Sequence, residues 1–271
     1  MPGITRRDWI RSASSGLAAC AIGASVPAST FNVDQRRRPG PHGPNPIVGV
    51  PAGVFLMGTS AQRIQTLATD YGYDVSWFDG ELPERQVYLP AFAIQKYPVT
   101  QAEYAAFCFA TGYPIPFNWP TGAPPAELYD HPVNCVDRAD AQAYAAWIGM
   151  RLPTDAEWEK AARGVDGRNF PWGDAFDPDA CHWSSDPTVP ESGTAPVTAH
   201  PRGVSPYGVE DMVGNVGEWC ANGPGAVTAF IKGGSWNSSE VVNLRPAARN
   251  MSGLTDYPCR FYGFRCVRSL P

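Results

Sequence analysis

The sequence predicts an α+β fold: one irregular domain of short strands, two or three helices and much coil. Three observations carry that expectation. Helix caps crowd into residues 100–164, helical periodicity stops at Gly164, and 27 glycines with 28 prolines punctuate the 271 residues. Aromatic residues make up 12% of the chain and charged residues only 17%, which suits a loop-rich globular domain rather than a disordered chain or a helical bundle. A chain of this length can bury one large core. The net charge of −5 supplies no basic footprint, so nucleic acid is not an expected partner.

Residues 1–28 read as an export signal. Thr5-Arg-Arg-Asp-Trp-Ile10 resembles a twin-arginine signal, Ser12–Val26 is weakly apolar and too short to span a bilayer, and Val26-Pro-Ala28 offers a small-residue cleavage site. The alternative is a lipobox at Leu17-Ala-Ala-Cys20, which would hold the chain at a membrane through a lipidated Cys20. The expected location is periplasmic or extracellular, or the surface as a lipoprotein. Residues 29–46 form a basic, Pro/Gly-rich linker, and the domain occupies 47–271.

Within the domain, Gly53–Gly58 and Gln86–Ile94 read as strands, and Asp70–Glu84 as a polar surface excursion. Thr100-Gln-Ala-Glu103 is a capping box that opens a helix stopped by Gly112. Asp137 or Asp140 caps a second helix ending at Gly149. Thr154-Asp-Ala-Glu157 opens a third, which ends at Gly164. Short strands and turns follow, with no internal repeat.

Three strings lie outside what periodicity generates: Gly208-Val-Glu-Asp-Met-Val-Gly-Asn-Val-Gly-Glu-Trp219, Lys232-Gly-Gly-Ser-Trp-Asn237 and Tyr262-Gly-Phe-Arg-Cys266. Together with Phe55-Leu-Met-Gly58, Tyr97-Pro-Val-Thr100, His131-Pro-Val-Asn134, Arg151-Leu-Pro-Thr-Asp-Ala-Glu-Trp-Glu159 and Phe170-Pro-Trp-Gly173, the chain resembles the formylglycine-generating enzyme (sulfatase-modifying factor) family from Val50 to its C-terminus. That resemblance implies a C-type-lectin-like architecture.

Asp211 and Glu218 bracket a Gly-containing turn, and calcium accepts about six to eight oxygens in flexible geometry. The resemblance implies a structural calcium held by the side chains of Asp211 and Glu218 and the carbonyls of Gly214 and Val216. It also implies two cysteines shortly after Gly-Gly-Ser that bind copper and activate oxygen. Here the residues after Ser235 run to Arg249 without cysteine, so copper and cysteine oxidation are not expected, and no catalytic residue is assigned.

Export would leave six cysteines: Cys108, Cys135, Cys181, Cys220, Cys259 and Cys266. An even count permits three disulfides, and the pairing stays open. Cys266 matches a position that is disulfide-bonded in the family, but the usual partner position holds alanine; Cys259 or Cys220 remains available to it.

The C-terminal segment alternates aromatic, amide and guanidinium groups. Trp236, Asn237, Ser238, Arg245, Arg249, Asn250, Tyr257, Arg260 and Tyr262 form the expected binding surface for a protein or small-molecule ligand. Three functions compete: an exported binding or maturation-accessory protein, an oxidative maturation enzyme of different chemistry in the same groove, and a variable ligand-binding protein of a diversity-generating retroelement, varied over residues 236–262.

Overall fold

A computed structural model describes residues 44–184, 193–221, 228–249, 252–254 and 257–271. The expected export signal and nearly all of the expected linker lie outside the described residues. Of the linker's end, Asn45 is fastened to the domain, donating from its backbone to Glu103 Oε1 (3.1 Å) and from Nδ2 to Tyr97 O (3.0 Å).

In chain order the elements are β1 (Ile47–Val50), β2 (Gly53–Met57), α1 (Ala61–Tyr71), β3 (Arg85–Leu89), β4 (Phe92–Gln95), α2 (Gln101–Thr111), α3 (Arg138–Trp147), α4 (Asp155–Arg163), β5 (Gly217–Trp219), β6 (Thr228–Lys232), α5 (Val241–Leu244), β7 (Ser252–Leu254), β8 (Tyr262–Gly263) and β9 (Val267–Ser269). The α+β class holds, with five α-helices among the described residues rather than two or three.

Three small sheets organise these pieces. An antiparallel sheet of order β1-β4-β9 joins the start of the domain to its end. An antiparallel pair, β2 and β3, frames α1. A four-stranded sheet of order β7-β6-β5-β8 carries the C-terminal motifs, with β5 and β8 parallel.

The three helices expected from their caps form as expected. Thr100–Glu103, Asp137–Asp140 and Thr154–Glu157 each close a reciprocal capping box, so Asp137 is the N-cap of α3 and Asp140 its partner. Gly112 and Gly164 close α2 and α4 with positive φ. Each cap is worth about 1 kcal/mol, but burial holds these helices in place. α2 and α3 pack Tyr104, Phe107 and Tyr144 around Phe264, Trp219 and Ile231. α4 places Trp158, Ala161 and Ala162 against Val50, Phe92, Ile94 and Met212.

Two expectations need correction. The strand read over Gln86–Ile94 is two strands in different sheets, because Pro90 has no N–H with which to continue a ladder. The stretch Asp70–Glu84 is not simply a surface excursion: it ends α1, then forms a 3₁₀ turn over Val75–Glu81 that buries Phe78 and Glu81 completely. α1 itself has Ser60 accepting from the Arg63 backbone at its start and Gly72 in the left-handed region at its end.

Candidate functional site

The turn before β5 is built around Asn215. Asp211 and Asn215 have φ of 56°, the left-handed region that asparagine and aspartate tolerate better than most residues. Gly214 (φ 75°) is obligatory there, since a Cβ would lie 2.1 Å from His182 O. The Asn215 amide donates to Asp211 Oδ2 (2.8 Å) and Ala195 O (3.0 Å), and its Oδ1 accepts from Ala195 N (3.0 Å). Its carbonyl receives Trp236 N at 2.9 Å, so the turn and the Gly-Gly-Ser-Trp loop form one unit.

Downstream, Glu218 is buried and saturated on most sides. Arg265 closes on it with Nε to Oε2 and Nη2 to Oε1, both 2.7 Å, and Trp158 Nε1 donates to Oε2 at 2.7 Å. Asp211 shares this interior: burial pushes its carboxyl up to about 8, against the lowering pull of Asn215 and Arg265.

The expected calcium ligands can be tested against this geometry. A carboxylate offers about four acceptor sites; Glu218 has committed three and Asp211 one to side-chain donors among the described residues. Asp211 is thus the less committed of the two expected carboxylate ligands, and Glu218 keeps little free acceptor capacity. Arg265 competes for Glu218, which argues for weaker binding than an unshared glutamate would give.

A second buried charge cluster joins α4 to the C-terminal segment. Asp155 forms an ion pair with Lys232 Nζ at 3.0 Å and accepts Arg249 Nε at 2.7 Å. Glu159 accepts Arg249 Nη2 at 2.9 Å, Arg163 Nη1 at 2.7 Å and the Gly58 backbone N–H at 2.7 Å. Burial raises the Asp155 carboxyl, but Lys232 and Arg249 outweigh it and hold the group below its usual value. Beside this cluster, Arg245 donates from Nη1 to both Glu81 oxygens at 2.8 Å and from Nη2 to Thr59 Oγ1 at 3.1 Å.

The expected ligand residues therefore separate. Arg245 is wholly buried and Arg249 nearly so, and their partners are Glu81, Asp155 and Glu159; they support the C-terminal segment from beneath rather than lining a surface. The one-turn α5 stops at Leu244, so neither arginine is helical. Ser238 braces a turn, its Oγ accepting from Ser235 N at 3.0 Å. Tyr262 packs its ring against Trp219 (5.3 Å), and burial pushes its phenol up to about 12.

Asn237, Tyr257 and Arg260 are exposed, while Trp236 is buried with its ring 5.1 Å from Phe261. Among the described residues the Trp236 indole N–H has no acceptor. Asn250 lies outside the described residues. Sequence reading missed Glu81, Asp155, Glu159, Arg163 and Arg265 as framework charges. The Glu159–Arg163 spacing, four apart within a helix, was the available signal.

A copper site of two thiolates does not fit this segment, because residues 236–249 contain no cysteine. Elsewhere Cys108, Cys181, Cys220 and Cys266 are buried. Burial raises the Cys108 and Cys181 thiols to about 12, and those of Cys220 and Cys266 well above the ordinary value, which disfavours the thiolate that a soft metal binds. Among the described residues no three His, Cys, Asp or Glu side chains converge as metal ligands.

Short sheets around a coil-rich C-terminal half, with a glycine turn locked under β5, define a C-type-lectin-like domain. The chain matches the Sulfatase-modifying factor enzyme 1-like domain over residues 35–270 and belongs to that family. The formylglycine-generating enzyme of Bos taurus is 32% identical over 85% of this chain and 76% of its own length. The hercynine oxygenase of Mycolicibacterium smegmatis is 33% identical over 85% of this chain and 62% of its own. The solved structure of PvdO from Pseudomonas aeruginosa superposes with a TM-score of 0.67 at 26% identity, covering 83% of this chain and 94% of that one.

Proposed function

We propose that the protein is an exported binding or maturation-accessory member of the family, which takes a protein or small-molecule ligand at the surface around Trp236, Asn237, Tyr257, Arg260 and Phe261. The observation that supports this reading is the Trp236 indole N–H, which is buried against Phe261 without an acceptor among the described residues. Buried donors without partners are rare, and one packed on the half-buried Phe261 ring, whose chain neighbour Arg260 is exposed, suits a ligand that brings its own acceptor. The missing thiolate pair supports binding rather than formylglycine formation. A structural calcium at Asp211, Gly214, Val216 and Glu218 is part of the proposal, as is export through Arg6 and Arg7.

The test has two arms. Mature protein is screened on a peptide and glycan array beside Tyr257→Ala, and is separately incubated with Cu(I), oxygen and a sulfatase-type cysteine peptide. Saturable array binding that the variant loses, without aldehyde on the peptide, is expected. Stoichiometric copper with aldehyde formation would overturn the reading. It would favour the oxidative alternative, for which the similarity to a hercynine oxygenase speaks. If residues 236–262 vary between copies, a near-copy of their codons beside a reverse transcriptase gene would identify the retroelement alternative.

A further inference from the structure

Cys135 and Cys259 are far apart in the chain and adjacent in the fold. The Cys135 backbone N–H donates to the Cys259 carbonyl at 3.0 Å. One backbone bond of this length keeps the two Cα atoms within about 7 Å, the outer limit of what a disulfide spans. Cys135 also has φ of 59°, a left-handed backbone that a residue of its type seldom adopts. Strained backbone of that sort persists only where the surrounding structure fixes it.

The segments on either side are pinned together as well. Asn134 Nδ2 donates to Arg260 O at 2.9 Å, and a Cβ on Gly263 would lie 2.5 Å from Val133 O. The Cys259 carbonyl receives a second bond, from Tyr262 N at 3.1 Å. Cys135 is buried and Cys259 is partly exposed, so one sulfur is reachable by a redox partner and the other is shielded.

We infer that Cys135 and Cys259 form a disulfide that ties the Tyr257–Gly263 segment to the loop before α3. The oxidant is a disulfide-exchange partner, either an oxidised dithiol protein or oxidised glutathione. The Cys259 thiolate attacks one oxidant sulfur, forming a mixed disulfide and expelling the first oxidant thiolate. The Cys135 thiolate then attacks the Cys259 sulfur, the protein S–S bond forms, and the second oxidant thiolate leaves. Two electrons pass to the oxidant, and its thiolates take up the two protons the cysteines release. The bond would fix the backbone that carries Tyr257 and Arg260, but the inference does not depend on those residues binding a ligand.

The test equilibrates the mature protein with oxidised glutathione, alkylates remaining thiols and maps peptides without reduction. A single cross-linked peptide pair containing Cys135 and Cys259 is expected, with both residues alkylated after reduction. The oxidised protein should melt several degrees above the reduced one, because the bond closes a long loop in the unfolded chain. Cys259→Ser and Cys135→Ser should each abolish that difference and leave the other cysteine alkylated. Native protein in which both cysteines stay alkylatable in oxidised glutathione, or in which Cys259 is linked to a different cysteine, overturns the inference.

Discussion

Arg265 meets Glu218 side-on through two parallel bonds of 2.7 Å, with both side chains fully removed from water. The same guanidinium donates to the carbonyls of Gln95, Lys96, Glu210 and Asp211, so it ties β4, the glycine turn and β5 at one point. That gives the arginine of the Gly-Phe-Arg-Cys string a structural reason: it is the peg around which the C-terminal half closes.

Removing one partner of such a pair leaves the other charge buried. Arg265→Ala should therefore lower stability by about 3–5 kcal/mol. Arg265→Lys should recover only part of it, since a point charge cannot reproduce the planar fork. Urea unfolding measures both, and a loss below about 1 kcal/mol for the alanine variant would show the peg to be dispensable.

Calcium at the turn should appear as thermal protection. An ion bound only by the folded state contributes about 2.7 kcal/mol at a hundredfold excess over Kd, roughly 5–10 °C for a domain of this size. Chelation should remove it. Asp211→Ala should be insensitive to both calcium and chelator, and is the better variant because Glu218 also anchors Arg265. Melting curves that ignore calcium in the wild type would refute the site.

Acid should unfold the protein through the α4 carboxylates. Burial pushes the carboxyls of Asp155 and Glu157 up, but Lys232 and Arg249 for the first, and Arg151 with the Thr154 cap for the second, pull both below their usual values. A group depressed in the folded state stabilises it above the unfolded pKa, and that contribution is lost as pH falls through the folded value. The loss should therefore begin below about pH 4. Asp155→Asn should lower the neutral-pH plateau and flatten the acid limb, read from unfolding free energy between pH 7 and acid. An acid limb of unchanged slope would mean that other groups control it.

The surface and its support should separate by mutation. Tyr257 is 44% exposed and Arg245 is 0% exposed. Tyr257→Ala should leave the melting temperature within about 2 °C while abolishing array binding. Arg245→Ala should cost about 3–5 kcal/mol by stranding Glu81. Equal destabilisation by both would contradict this division.

Export should require both arginines of the N-terminal pair. Changing Arg6 and Arg7 to lysine preserves charge, yet should leave precursor in the cytoplasm, as fractionation and intact mass would show. Normal export of the double variant would refute the signal.

Much of the frame was legible in the chain. Capping boxes are local hydrogen-bond devices, so Thr100, Asp137 and Thr154 announced α2, α3 and α4 from residues three apart. α1 was missed: Ser60 caps it and Ile64, Leu67 and Ala68 are buried at helical spacing, but it lacks the acidic partner that marks the other three. The break at Pro90 was missed, although the proline's lack of an N–H was written in the chain.

By itself the sequence determined the fold class, the local caps, the family and the loss of the two expected thiolates, because each is written in neighbouring residues or in whole motifs. Only the tertiary structure decided that Arg245 pairs with Glu81 across 164 positions, that Arg265 closes on Glu218 across 47, and that Cys135 lies beside Cys259. Alternation of aromatic and guanidinium groups reads the same whether the side chains face water or carboxylates. The choice is made when distant elements pack, because a buried guanidinium is tolerated only where opposing charge and carbonyl oxygens converge on it.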